Sequence, residues 1–288
     1  MKENSSQGWV NGGIGVLLFS GSLPATRVAV MELSPLFLTV ARASVAGICA
    51  FLVLLWFKKE FPSRKQIPSL VIIALGVVVG FPLLSAFALE YITSARSIVI
   101  LAMLPVSTAV FAVWRSGERP SPIFWFFSLL GSVLVMGYAF TQGFDGSLQG
   151  DLFMLLAVLL CGLGYAEGAK LSKSLGGWQV ISWALIISLP LMLPLMFLYQ
   201  PSSFGLISFK AWFSLGYVSL FSMFIGFIFW YKGLAQGGTA TVGQLQLLQP
   251  LLALGLAALL LKEDVSYGML IVTFFVILCV VGTKKFVK

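Results

Sequence analysis

No histidine occurs anywhere in the 288-residue chain. Without it there is neither a histidine proton relay nor a histidine metal site. Acidic residues are nearly as scarce, with ten in all. Glu3, Glu32, Glu60, Glu118, Asp145, Asp151, Glu263 and Asp264 fall in loops or at the ends of apolar segments, which leaves Glu90 and Glu167 as nearly the only carboxylates placed for proton coupling. Coupling through several ion sites is therefore not provided for, and exchange, facilitated diffusion or one-proton antiport fits better. There is no Gly-rich phosphate loop of the Walker type, so ATP hydrolysis in this chain is not expected. The three cysteines, Cys49, Cys161 and Cys279, lack metal-ligand spacing and read as small packing residues. No cofactor is implied. An intramembrane enzyme acting on lipid or isoprenoid substrates would need clustered acids or histidines, and the only adjacent carboxylates are Glu263-Asp264 in a three-residue turn.

Charge as a whole is also missing. The chain is 10% charged and 59% hydrophobic, with a mean hydropathy of +1.01, whereas soluble domains carry about 25% charged residues. A membrane span needs about 20 mostly apolar residues, and ten such segments are present: 10–31, 36–57, 67–89, 95–114, 122–140, 151–171, 179–199, 211–233, 239–261 and 265–283. Alternating ten-residue strands are absent, which argues against a β-barrel. The reading is an all-α integral membrane protein of ten transmembrane helices. The first segment is too long for a cleavable signal peptide and has no small-residue cleavage site.

The chain also repeats itself. Ser94-Ala95 opens an apolar run with Pro105 eleven residues after Ser94, and Glu118 follows thirteen residues later. Thr239-Ala240 opens a second run with Pro250 and Glu263 in the same register, 145 residues on. A proline and a carboxylate repeated in register point to a duplicated unit, 1–143 and 144–288, as in many transporters. Five spans per unit force the two units into opposite orientations, an inverted repeat. With the N-terminus inside, thirteen basic residues lie in inner segments and four in outer ones, so both termini are expected to be cytoplasmic. This bias also accounts for the net charge of +8 without any nucleic-acid partner. A non-transporting scaffold or sensor is disfavoured, because the repeated unit leaves no separate signalling domain.

These pieces resemble the drug/metabolite transporter superfamily, specifically its EamA-type family. The resemblance spans about 10–283 and rests on Pro35-Leu36-Phe37-Leu38-Thr39-Val40-Ala41-Arg42, on Ala88-Leu89-Glu90-Tyr91-Ile92-Thr93-Ser94-Ala95, on Leu104-Pro105 with Gly117-Glu118, and in the second unit on Gly233-Leu234-Ala235, Thr239-Ala240, Gln249-Pro250 and Lys262-Glu263. No arginine in the seventh span matches Arg42. The resemblance implies a carrier of small metabolites, amino-acid-like or amphipathic, working by alternating access around a cavity between the repeats. It also implies export and a multi-pass protein of a bacterial-type inner membrane. The partners are then a small-molecule substrate and the lipid bilayer, with a homodimer left open.

Polar groups inside the spans need a reason, since a buried charge costs roughly 2.5–3.5 kcal/mol on insertion scales. Arg42 lies about 9 Å inside the outer end of its helix at 1.5 Å per residue, within reach of Glu90 or Glu32. It either holds a substrate carboxylate or snorkels. Arg27 and Arg96 share these two readings at the outer mouth. Glu167 has Lys170 three residues on, which allows an intrahelical pair. It either faces the cavity or anchors at the headgroups. Gln246 and Gln249 lie on one side of the ninth span and Gln244 on the other, and they either bind substrate or lock helices. Tyr165, Trp183, Trp230 and Tyr231 are the expected aromatic cavity walls. Pro24, Pro82, Pro105 and Pro250 are the expected hinges, or else fixed packing kinks.

Overall fold

In the computed structural model, residues 2–92, 94–140, 147–249, 251–253 and 267–285 are described. They form helices α1 (Lys2–Ser20), α2 (Ser22–Val30), α3 (Pro35–Trp56), α4 (Ile67–Ile73), α5 (Phe81–Tyr91), α6 (Ser94–Leu101), α7 (Leu104–Ser116), α8 (Pro122–Phe140), α9 (Leu148–Leu175), α10 (Gly177–Leu198), α11 (Phe209–Tyr217), α12 (Gly226–Gly237), α13 (Thr239–Gly243) and α14 (Tyr267–Lys285). Among the described residues there is no strand. Among the described residues six helical segments are long and apolar enough to cross a membrane: Ser6–Val30, Pro35–Trp56, Ile67–Tyr91, Leu148–Leu175, Gly177–Leu198 and Phe209–Gly237. They coincide with the first, second, third, sixth, seventh and eighth segments read from the sequence. The fifth is a shorter apolar helix, Pro122–Tyr138. The tenth is represented by α14, while residues 254–266, with Lys262, Glu263 and Asp264, lie outside the described residues.

The fourth segment differs from expectation. It is broken at Ala102-Met103 into α6 and α7, and Pro105 sits at the start of α7. A proline there loses nothing, because the first N–H groups of a helix have no intrahelical partner. Pro105 is therefore placed at a helix start after a break. Pro24 occupies the first turn of α2 for the same reason, just beyond the interruption at Gly21. Pro82 opens α5 immediately after a π-helical stretch, Ala74–Gly80, in which the Phe81 N–H reaches back to the Gly76 carbonyl. Pro250 lies outside the described residues.

These irregularities recur at the spacing of the sequence repeat. A second π stretch, Val218–Ile225, interrupts the eighth segment, where the Gly226 N–H reaches the Phe221 carbonyl. A 3-10 stretch, Gln244–Leu248, interrupts the ninth segment where the break at Ala102-Met103 interrupts the fourth. The eighth segment has no proline, so the π geometry does not depend on one. The second segment packs on the seventh, the fourth on the ninth and the fifth on the tenth, each five segments on, while the first packs on the eighth and the third on the sixth, two pairs that exchange under a shift of five; the fourth also packs on the sixth.

In lipid there is little hydrophobic gain from bringing two helices together, so contact relies on small residues and close approach. Gly8 and Gly12 of α1 meet Gly233 and Gly237 of α12, and a Cβ on Gly8 would lie 2.6 Å from the Gly237 backbone nitrogen. Ala43, Ala46 and Ala50 of α3 are fully buried, and Gly47 lies under Leu185 and Leu189 of α10. On α3 the Ser34 hydroxyl accepts from the Phe37 N–H at 3.2 Å, and Pro35 follows as the first helical residue, which sets the helix start. Farther along the chain α7 stops at Gly117, whose φ of 66° is left-handed and suits glycine. Large apolar side chains point outward from the bundle, among them Trp114, Phe126, Leu152 and Phe274, each at least half exposed. Such continuous apolar exposure marks a surface in contact with lipid.

Candidate functional site

The first, second, third, fourth, sixth, eighth and ninth segments converge on a small, partly open cavity. The cavity lies at the helix interruptions. Ser22 follows the Gly21 break, Val77 and Ser222 come from the two π stretches, Leu101 and Leu104 flank the Ala102-Met103 break, and Gln249 follows the 3-10 stretch. Irregular backbone is tolerated at membrane depth only where protein or a wet cavity faces it. Single π turns inside α-helices gather at functional sites for the same reason.

Among the described residues Arg42 is the one charged member of the lining. It is 4% exposed, and its Nη2 makes only a long 3.4 Å hydrogen bond to the Ser222 hydroxyl, while its Nε has no partner. Ser222 in turn shares a 2.6 Å hydrogen bond with Ser22. The expected pairing of Arg42 with Glu90 or Glu32 is not found. Glu90 is exposed, and Glu32 accepts from the Ser208 N–H at 2.6 Å and the Ser208 hydroxyl at 2.7 Å. The Ser208 N–H first, then its hydroxyl, hold the Glu32 carboxyl below its ordinary range. This tie is in place above the ordinary carboxylate range and is lost only as pH falls below that range, through the lowered value.

Tyr165 also lines the cavity, its ring 5.8 Å from Phe227 and 5.4 Å from Trp230. Gln249 lines it as well, with its amide donating to the Phe19 carbonyl at 3.3 Å. Gln246 is buried beside the Tyr165 hydroxyl, yet neither its oxygen nor its nitrogen completes a hydrogen bond of normal geometry. Gln244 turns away and reaches the Ala240 carbonyl of its own helix. Trp230 and Tyr231 are fully buried core residues, and the Tyr231 hydroxyl donates to the Gly164 carbonyl at 3.2 Å. They stand behind the lining, in space left by Gly15 and Gly168. Trp183 is buried against Phe61, whose ring lies 5.0 Å away.

Glu167 is not paired with Lys170, which is exposed. It receives the Arg115 Nε at 2.7 Å and the Ser69 hydroxyl at 2.5 Å, and only 1% of its side chain is exposed. The pair joins α9, α7 and α4 at the end of the bundle that carries Lys58, Lys59 and Lys284. At the same end the Glu118 carboxylate accepts the N–H groups of Thr239 and Ala240, at 2.8 and 2.9 Å, and so caps the start of α13. The amide of Asn11 bonds the Gln236 amide oxygen at 2.8 Å nearby. At the opposite end Arg96 forms a two-pronged ion pair with Asp151, at 2.7 and 2.5 Å, and Arg27 donates to the Leu89 carbonyl.

Sequence reasoning missed Ser22, Ser222 and Phe227. Their signal was present but faint, two serines in apolar runs, one directly after a glycine. It also left Glu118 as a loop acid, although the repeated interval from Ser94 to Glu118 and from Thr239 to Glu263 was in view.

The model of the EamA-like transporter family matches residues 9–139 and again residues 148–283. A protein of Bacillus subtilis (strain 168), described as uncharacterized transporter YdeK, is 57% identical over 286 residues, covering 99% of this chain and 100% of the relative. The uncharacterized transporter YoaV of the same organism is 21% identical over 259 residues, covering 88% and 89%. A solved crystal structure superposes with a TM-score of 0.79 at 18% identity, covering 96% of each chain, and shows the same fold.

Proposed function

The chain belongs to the EamA-like transporter family, and from that premise we propose that it is an alternating-access carrier, an exporter of small amino-acid-like or amphipathic metabolites. It is a multi-pass membrane transporter and not an enzyme. The proposed moving parts are two inverted units of five helices, 1–143 and 144–288. Supporting this division are the two stretches matched by the family and the recurrence of a π stretch and a helix interruption at the repeat spacing. The observation that carries the reading is the cavity itself. It is built from both units, lies at their interrupted helices, and presents Arg42, Tyr165 and Gln249 to its interior.

In this scheme the units rock about the cavity. The contacts Glu118 to Thr239, Asn11 to Gln236 and Arg115 to Glu167 close one end. Glu32 to Ser208 and Arg96 to Asp151 close the other. Each set joins residues of one unit to residues of the other, so opening one end means parting one set. The Lys58 end is assigned to the cytoplasm on the distribution of basic residues. Single-cysteine labelling from either side of sealed vesicles checks this. Lys58→Cys and Arg119→Cys are expected to react from the cytoplasmic side, and Ser147→Cys and Lys210→Cys from the other. Reaction of Arg119→Cys and Lys210→Cys from one side would sink the inverted arrangement.

Counterflow in proteoliposomes tests the carrier reading. Internal unlabelled solute should drive a transient accumulation of the same labelled solute above equilibrium, with saturation. A uniform lack of counterflow across amino acids, organic acids, nucleosides and organic cations would overturn it.

A further inference from the structure

We infer that the cavity takes an amphipathic organic anion, a carboxylate with an aromatic or branched apolar body, and that Arg42 is its charge partner. This rests on the carrier reading for its location and sharpens the substrate class.

The charge balance of the cavity carries the argument. Arg42 is a buried cation with an unpartnered Nε and one long contact to a hydroxyl. Among the described residues no carboxylate reaches it. Glu167 is held by Arg115, Asp151 by Arg96, Glu32 by Ser208 and Glu118 by two backbone N–H groups, while Glu60 and Glu90 are exposed. Taking an ion out of water without a partner costs several kcal/mol, so a guanidinium left this way is completed when an anion arrives. Its Nε has no partner and its Nη2 has only the long Ser222 contact to give up, and a guanidinium suits the planar, two-point geometry of a carboxylate.

The rest of the lining decides between an anion and a zwitterion. Its polar groups are the neutral side chains of Ser22, Ser222, Tyr165 and Gln249, and among the described residues no acid faces the cavity to receive an ammonium. An amino acid would bring its carboxylate to Arg42 and leave its ammonium uncompensated. The remaining wall is apolar and aromatic, with Phe19, Phe81 and Phe227, which suits a hydrocarbon body and not a second charge.

Three probes of one shape separate the cases: 3-phenylpropionate, phenylalanine and phenethylamine, which share a phenyl body and differ in charge. Purified full-length protein in detergent would be titrated with each while its thermal unfolding midpoint is followed, and self-exchange of each labelled probe would be measured in proteoliposomes. The expected result is saturable stabilisation and exchange with 3-phenylpropionate, at least tenfold weaker binding of phenylalanine, and none of phenethylamine. Arg42→Gln should weaken 3-phenylpropionate binding at least tenfold, and Arg42→Lys should restore part of it. Should Arg42→Gln fail to fold, the order of the three probes on the unaltered protein still decides. Equal or tighter binding of phenylalanine or phenethylamine, unchanged anion binding in folded Arg42→Gln, or no binding of any probe overturns the inference. Anion binding without exchange would leave it standing and overturn the carrier reading. Exchange of the amine or zwitterion without anion preference would do the reverse.

Discussion

Gly233→Val is expected to abolish accumulation of folded protein. A Cβ on Gly233 would lie 2.5 Å from the Gly12 nitrogen, 2.8 Å from the Gly12 Cα and 2.9 Å from the Gly8 carbonyl oxygen. All three are backbone atoms, so no rotamer change can relieve the clash, and α1 must part from α12 along its length. Overpacking in a well-packed core typically costs about 1–3 kcal/mol, and a clash between two backbones belongs at or above the top of that range. The loss also spreads, because Gly8, Gly12 and Gly237 form the same seam and the Asn11 to Gln236 hydrogen bond depends on it. Gly13 provides the control on the same helix. A Cβ there meets nothing within 4 Å, so Gly13→Ala should be neutral or gain up to about 1 kcal/mol from helix propensity. Detergent extraction followed by gel filtration reads both: a monodisperse peak for Gly13→Ala, and aggregate or no protein for Gly233→Val. A well-folded Gly233→Val would show that the two helices do not approach as described.

What could be read in advance depended on whether the signal was local. Span positions follow from runs of apolar residues, which lipid imposes directly, and the six long helices lie where those runs placed them. The repeat was legible because Pro105 and Pro250, Glu118 and Glu263 keep register. The role of Glu118 was not, because its partners Thr239 and Ala240 are 121 and 122 residues away. The same limit explains Glu167. Lys170 was the cation visible three residues along its helix, whereas Arg115, 52 residues earlier in the chain, is the one that reaches it. Arg42 was singled out by depth alone, which is a local property, but the acids proposed for it were chosen by helix ends and turned out to be exposed or bound elsewhere. The π stretches left no composition signal at all. Ala74–Gly80 and Val218–Ile225 share neither a proline nor a motif, and only their positions relative to the repeat connect them.

Arg115→Ala is expected to cost more stability than Glu167→Gln, and the double variant should recover part of the loss. In the native protein the Glu167 carboxylate is 1% exposed and satisfied by Arg115 at 2.7 Å and Ser69 at 2.5 Å. Deleting the guanidinium leaves a buried anion with one hydroxyl. Removing one member of a buried pair costs about 3–5 kcal/mol, and the 30% exposure of the Arg115 side chain places this case at the low end. Glu167→Gln keeps the shape and an acceptor for Arg115 and Ser69, and a lost charge-assisted bond is worth about 1.5–3 kcal/mol. In Arg115→Ala with Glu167→Gln no charge is left orphaned, so its unfolding midpoint should lie above that of Arg115→Ala alone. Equal midpoints would mean that the pair contributes no coupling. Transport separates a structural clasp from a proton site. Glu167 lies outside the cavity lining and is already neutralised by Arg115, so Glu167→Gln should keep substrate-for-substrate exchange and any response to an imposed pH gradient. Loss of the gradient response at unchanged stability would assign the coupling proton to Glu167 and overturn its reading as a clasp between the two units.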